Sequence, residues 1–445
     1  MFVFPKNLYT DVRIENVFST KIIYTMDTVD ELKSTSYRGA FIRIFDGKRW
    51  YYSATSSVEN LQQEIDCLAI YAKRNEKVNE HPAVIRLEAH KGSYLQFDSR
   101  SVRQVSQQQK MEFLKGYFPL LNENPYIRMW KGSYLDKNIV KEFYSSKGAD
   151  LKFDFQTTGI SFRFSMADGD KTFNGSYQKT ANYFDELGND YDKLKQGIQA
   201  SEEFLKYAQP IKPGKYTVVL APVAAGVFAH ESFGHKSEAD FMIGDENMKK
   251  EWAIGSRIGR NLLSIVDNGG YMGSGYIPFD DEGTKCQETY LIKDGLLQGR
   301  LHSAATAAYL DEGVTGNSRA INFEFEPIVR MTTTYIKEGK KTFEELLSDI
   351  KEGILVKSVK YGTGMSTFTI APSISYMIRD GKIAEPVNIS VLTGNVFETM
   401  NQIDGLSDTL EIISFTTGGC GKYEQNFLPV AFGGPYVRVL DMNVH

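Results

Sequence analysis

The pattern of apolar and polar positions changes period several times along this chain, and each change predicts an element. Residues 1–55 read as strands, and Phe41–Phe45 and Trp50–Tyr52 flank Asp46-Gly47, a strong hairpin signal. Leu61, Ile65, Leu68 and Ala72 then recur at helical spacing. Ser56 and Glu59 are placed as a capping box, so a helix is predicted over 57–75. A second helix is expected over 104–120. Two alternating stretches, Lys152–Gln156 and Ile160–Ser165, with a turn at Asp168-Gly169, predict meander-like antiparallel sheet. Residues 190–208 return to a helical pattern rich in Lys, Glu and Gln.

Gln209-Pro210-Ile211-Lys212-Pro213-Gly214 then breaks the pattern with two prolines and a glycine. A domain boundary is placed there, giving units 1–208 and 209–445. The second unit has a different character, a strand at Tyr216–Leu220, a short helix and a long series of strands. Asp294-Gly295 and Asp380-Gly381 mark two further hairpins. Thr342 and Glu345 cap a short helix that Gly353 is expected to end. Gly433-Gly434-Pro435 reads as a turn before a final strand, Tyr436–Leu440. The fold class expected is α+β, an N-terminal α/β domain followed by a C-terminal domain of mainly antiparallel sheet.

Composition narrows the class. A chain of 445 residues exceeds one compact core and suggests two or three domains. With 42% hydrophobic and 24% charged residues it reads as an ordinary soluble globular protein. A net charge of −5 argues against nucleic acid as a partner. The N-terminus shows no signal peptide, and the longest apolar run, Tyr216–Ala229, is too short to cross a bilayer. No membrane association is expected. Three cysteines, Cys67, Cys286 and Cys420, are too few for a disulfide framework, so a reducing cytoplasm is expected.

The chemistry concentrates in APVAAGVFAHESFGHKSEAD, residues 221–240. Two imidazoles flanking a carboxylate suit a metallopeptidase, the histidines as ligands and the glutamate as proton acceptor from a metal-bound water. His230 and His235 are five residues apart, which is about 140° round a regular helix and unable to aim both rings at one ion. A π-bulge would restore a shared face, and Gly234 would ease it. The same spacing also fits a helix with one buried and one exposed histidine. A further ligand would come from the cysteines, His302 or an acidic residue. Cys420 has the most suggestive setting, Gly418-Gly419-Cys420-Gly421-Lys422, where Lys422 would favour the thiolate. Cys67 and Cys286 read more simply as packed thiols, and His302 as a satisfied core residue. Asp280-Asp281-Glu282-Gly283 reads as an acidic turn, a calcium contact or part of a substrate cleft. The turn Thr315–Arg319 would hold a peptide carboxylate or close the fold.

HESFGHKSEAD together with TGGCGKYEQNFLPVAFGGPYVRV resembles the TldD/PmbA family of peptidases. Between them VVLAP, GSRIG, PFDDEGT and TGNSRA follow in the family's order over roughly residues 205–445. The retained histidines and cysteine resemble the TldD-like kind. That resemblance implies His230, His235 and Cys420 as ligands of one divalent metal ion, zinc or alternatively iron, with Glu231 as general base. It implies hydrolysis of short or unfolded peptides at a site enclosed by a dimer, either a homodimer or a heterodimer with a TldE/PmbA-like subunit. The competing implication is a non-catalytic partner subunit that keeps the histidines for structure. One departure is Tyr423-Glu424-Gln425, where the family pattern leads one to expect a glycine beside the glutamine.

Overall fold

The computed structural model describes residues 2–445 and shows an α+β fold. Its N-terminal sheet is built from long strands: β1 (Tyr9–Thr25), β2 (Thr28–Phe45), β3 (Trp50–Thr55), β4 (Lys91–Tyr94), β5 (Ile127–Ser145), β6 (Asp150–Asp168) and β7 (Lys171–Ala181). They run in the order β3-β2-β1-β5-β6-β4, with β7 also on β6, and only the β4–β6 pair is parallel. The strand length follows from unbroken alternation, since β5 buries nearly every second residue and so keeps one face against helices. The stretches 152–156 and 160–165 are therefore not two strands but parts of β6, which runs through Gly159 without turning. The turn at Asp168-Gly169 does form, joining β6 to β7.

The helices depart from expectation at their ends. The helix expected over 57–75 is α1 (Leu61–Ala69), entered by a 3-10 turn at Val58–Asn60 and without the Ser56/Glu59 capping box. Cys67 on it is exposed rather than packed. A short α2 (Pro82–Arg86) follows, and the span 104–120 splits into α3 (Gln107–Lys115) and α4 (Phe118–Asn122). The break comes at Gly116-Tyr117, just before Pro119, whose ring favours the first turn of a new helix. α5 (Tyr191–Tyr207) buries Leu194, Ile198, Ser201, Phe204 and Leu205, one face at helical spacing.

From β8 (Gln209–Pro210) and β9 (Gly214–Leu220) onward, two larger sheets form. In one, the strand Glu352–Gly364 pairs with β9, β9 with Val437–Val444, that strand with Leu392–Asn395, and this with Thr367–Arg379. Thr367–Arg379 pairs back to Glu352–Gly364, so five strands close into a ring with no free edge between them. The other sheet is six-stranded, and its strands Thr333–Ile336, Ala431–Gly434 and Glu411–Ser414 lie side by side, the last forming an edge. Gly433 and Gly434 are thus strand, not turn. The hairpins at Asp294-Gly295 and Asp380-Gly381 form, but the helix capped by Thr342 ends at Leu347, and Gly353 belongs to the next strand. Among the described residues no helix is long and apolar enough to cross a membrane.

The acidic segment 280–283 forms a turn, closed by the Gly283 N–H donating to the Asp280 carbonyl at 3.1 Å. It is buried where the N-terminal sheet meets the C-terminal half, and its carboxylates meet cations from β1, β2 and β5. Lys141 reaches Asp281 at 2.5 Å and Glu15 at 3.1 Å, while Arg43 bridges Asp11 at 2.7 Å and Glu282 at 2.9 Å. Burial would raise Asp281, but Lys141 and Arg13 outweigh it and hold this carboxyl below its ordinary range. Nearby, Arg319 gives its guanidinium to the carbonyls of Met331 and Pro429, so the 315–319 turn closes the fold.

Candidate metal centre

Between the closed ring and the six-stranded sheet lies α6 (Pro222–Val227), which starts at a proline where a missing N–H costs nothing. It continues into a π-helical turn, Phe228–Gly234, and then a 3-10 turn, His235–Ser237. The wide turn is what the five-residue spacing requires: it brings the two imidazoles together edge-on, with centroids 5.1 Å apart and planes at 78°. Gly234 is needed here for space, because a Cβ would lie 2.0 Å from the Met331 sulfur. His230 is buried and packs near Phe432, on the strand Ala431–Gly434.

Cys420 comes from a distant loop. Gly419, at φ +149°, turns the chain so closely over Leu428 that a Cβ would sit 2.6 Å from its carbonyl oxygen. The fully buried Arg330 donates to the Cys420 carbonyl at 2.7 Å and to that of Gln425 at 3.2 Å, fixing this loop. Cys420 Sγ then lies 3.4 Å from His235 Nε2, and one donor atom each from His230, His235 and Cys420 falls within 4.8 Å of the others. Cys286 and His302 are not brought here: Cys286 Sγ donates to the Gly316 carbonyl, and His302 is satisfied by Thr306 and Glu312.

The electrostatics suit a cation. Burial would push the Cys420 thiol up, but the rings of His230 and His235 bring it down to about 5. Burial also opposes charge on His235, yet Cys420 and Glu238 raise it to about 10. Both shifts favour a thiolate beside an imidazolium, whose proton a binding metal would displace. His230 Nδ1 is buried with no hydrogen-bond partner, a cost that a bonded ion would remove. Two imidazoles and a thiolate are a donor set that fits zinc.

Sequence reasoning missed the groups behind these ligands. Glu238, fully buried, accepts from His235 Nδ1 at 3.1 Å and so directs Nε2 at the thiolate. Its position three residues after His235, within the same motif, was a signal available for it. Lys422 does not serve Cys420. Its ammonium meets Glu238 at 3.1 Å and Asp240 at 2.7 Å, and donates to the Val329 carbonyl. Glu231 sits on the π-turn outside the donor cluster, half-buried, with its stem beside Gly362 of the strand Glu352–Gly364. At the departure from the family pattern, Tyr423 itself adopts the left-handed conformation, φ +52°, and is exposed.

The chain is similar to known proteins along its whole length. A family profile described as the PmbA/TldA metallopeptidase C-terminal domain matches residues 213–445, and one described as PmbA/TldA metallopeptidase domain 1 matches residues 10–70. A metalloprotease of Synechocystis sp. is 33% identical over 98% of this chain and 94% of its own length. A zinc metalloprotease TldD homolog of Saccharolobus solfataricus is 28% identical, covering 98% and 96%. Among solved structures, TldE of Thermococcus kodakarensis superposes with a TM-score of 0.77 over 98% of this chain and 96% of that one. At 14% identity it speaks to the fold alone.

Proposed function

The chain belongs to the PmbA/TldD metallopeptidase family, and from that premise we propose that it hydrolyses short or unfolded peptides with His230, His235 and Cys420 holding one zinc ion. The observation that carries this reading is the convergence of the three donor atoms within 4.8 Å, from a π-turn and a loop almost two hundred positions away. The name of the Saccharolobus relative supports zinc over iron. An ion held by His230, His235 and Cys420 would supply Lewis acidity to the scissile carbonyl and to the attacking water.

The remaining work falls to the chain. Glu231, outside the ligand set, takes the proton from that water and returns it to the leaving amine. Glu238 holds His235 in the orientation that presents Nε2, and Lys422 neutralises Glu238 in turn. The strand Glu411–Ser414, an edge that leads into the Cys420 loop, offers backbone groups to an extended peptide. Pairing of that kind reads backbone and requires an unfolded substrate. In this reading the chain divides at 208/209, and it dimerises, with itself or with a TldE-like subunit, to enclose the site. The likeness to TldE supports that geometry only through the shared fold.

Glu231→Gln tests the assignment. The variant should bind zinc in one-to-one ratio, measured by elemental analysis, and lose at least about a hundredfold in peptide cleavage. Unchanged turnover would remove Glu231 from the mechanism.

A further inference from the structure

Away from the metal centre the two halves of the chain enclose a cleft of about 980 Å³. β5, β6, β7 and α5 form one side, and the strands Glu352–Gly364 and Thr367–Arg379 form the other. Five cations line it, Lys131, Arg163, Lys193, Lys357 and Lys360, and no aspartate or glutamate does. Lys131 has Asp30 at 3.5 Å, whereas among the described residues the other four enter no ion pair. In a chain whose net charge is −5, five cations lining one cleft, four of them outside any ion pair, repel one another. That repulsion is relieved when an anion enters, and a concave wall concentrates their field. The Ser358 and Ser373 hydroxyls, 2.6 Å apart, add donors on the far wall. Met129, Phe173 and Val359 supply apolar surface that suits side-chain methylenes better than a bare inorganic anion.

Two strands tie this cleft to the catalytic residues. A Cβ on Gly364 would lie 3.3 Å from the Glu231 carbonyl, and one on Gly362 would lie 3.5 Å from the Glu231 side chain; Lys360 and Lys357 follow on the same strand. On the opposite wall Gly159 of β6 packs against Thr416, close before Cys420, and Arg163 lies four residues further along. At about 3.3 Å per residue Lys360 lies roughly 7–13 Å along its strand from Gly362 and Gly364 beside Glu231, and Arg163 roughly 13 Å along β6 from Gly159 beside Thr416. An extended peptide with its scissile bond at the metal centre would bring a residue about four positions away into the cleft.

We propose that this cleft is a subsite for acidic peptides, binding carboxylate side chains about four residues from the bond that is cut. The proposal rests on the peptidase reading for the position of that bond, but not for the binding itself. Its test uses Glu231→Gln protein, so that bound peptide is not consumed, and labelled peptides followed by fluorescence anisotropy. Three carry consecutive glutamates four residues before, four residues after, or at both sides of a central neutral segment, and a fourth has glutamine throughout. At low ionic strength at least one acidic peptide should bind about tenfold more tightly than the glutamine peptide. At ~1 M salt, where charges beyond about 3 Å are screened, the gap should fall to about twofold or less. Arg163→Gln combined with Lys193→Gln, and separately Lys360→Gln, should each cut the low-salt preference at least threefold. These exposed positions sit on different elements, so loss of fold in one variant leaves the other informative. Equal binding of all four peptides, a preference unaffected by both variants, or tighter binding of a single-stranded oligonucleotide of equal charge would overturn the proposal. If the unaltered protein cleaves none of these peptides while the acidic preference persists and responds to the variants, the peptidase reading fails and the subsite stands.

Discussion

Replacing Glu238 with glutamine isolates the role of a charge that never touches the metal. The variant keeps an amide oxygen able to accept from His235 Nδ1, so the contact now at 3.1 Å survives in shape. What disappears is the negative charge that makes His235 a better donor and that meets Lys422 at 3.1 Å. Carboxylates behind metal-bound histidines are worth about 10–100-fold in metal affinity, or roughly 1.4–2.7 kcal/mol. The upper half of that range is expected, because Glu238 is fully buried and its field is little screened. Lys422 does not become an orphan, since Asp240 at 2.7 Å and the Val329 carbonyl at 2.9 Å remain. Global destabilisation should therefore stay small. The assay is competition for zinc against a chromogenic chelator at pH 7, with urea unfolding of the metal-free protein alongside. Asp240→Asn serves as the contrast, altering the same lysine while leaving the His235 contact, and should change affinity less than about threefold. Equal affinities for Glu238→Gln and the unaltered protein would refute the idea that this carboxylate tunes the ligand.

Three further outcomes follow from particular contacts. Gly234→Ala forces a Cβ against the Met331 sulfur and should cost about 1–3 kcal/mol in urea unfolding, with a matching fall in bound zinc; full retention of both would show that the π-turn has room. Asp281→Asn removes one of the two carboxylates on Lys141, leaving Glu15, and should cost about 3 kcal/mol at pH 7. Because Lys141 and Arg13 hold the folded pKa of Asp281 below its unfolded value, the stability it contributes is present above about pH 4 and lost as pH falls through the folded value. The two proteins should accordingly converge in acid, and a gap that widens there would contradict the assignment. A thiol reagent should modify Cys67 rapidly in the native zinc-loaded protein and leave Cys286 and Cys420 until unfolding, as mass mapping would read; early loss of Cys420 would mean that its loop opens freely.

Much of the centre was legible in the chain itself. The five-residue gap between His230 and His235 already demanded a widened turn if both were to serve one ion, and Gly234 was the residue that could accommodate it. The glycines around Cys420 pointed to a closely approaching backbone, and α5, the hairpins at 294–295 and 380–381 and the α+β class followed from periodicity and turn chemistry. These are local properties, set by residues within one or two turns of each other. Helix ends were less legible: α1 stops at Ala69, before the exposed Ile70 and Tyr71, and α3 and α4 part before Pro119. Pairings over long separations could be settled only by the tertiary fold. It gave Lys422 to Glu238 rather than to Cys420, set Arg330 beneath the Cys420 loop, and closed the 280–283 carboxylates onto Arg43 and Lys141 of the N-terminal sheet. A buried charge takes whichever counter-charge the fold brings within reach, and the order of residues along a chain does not specify which one that is.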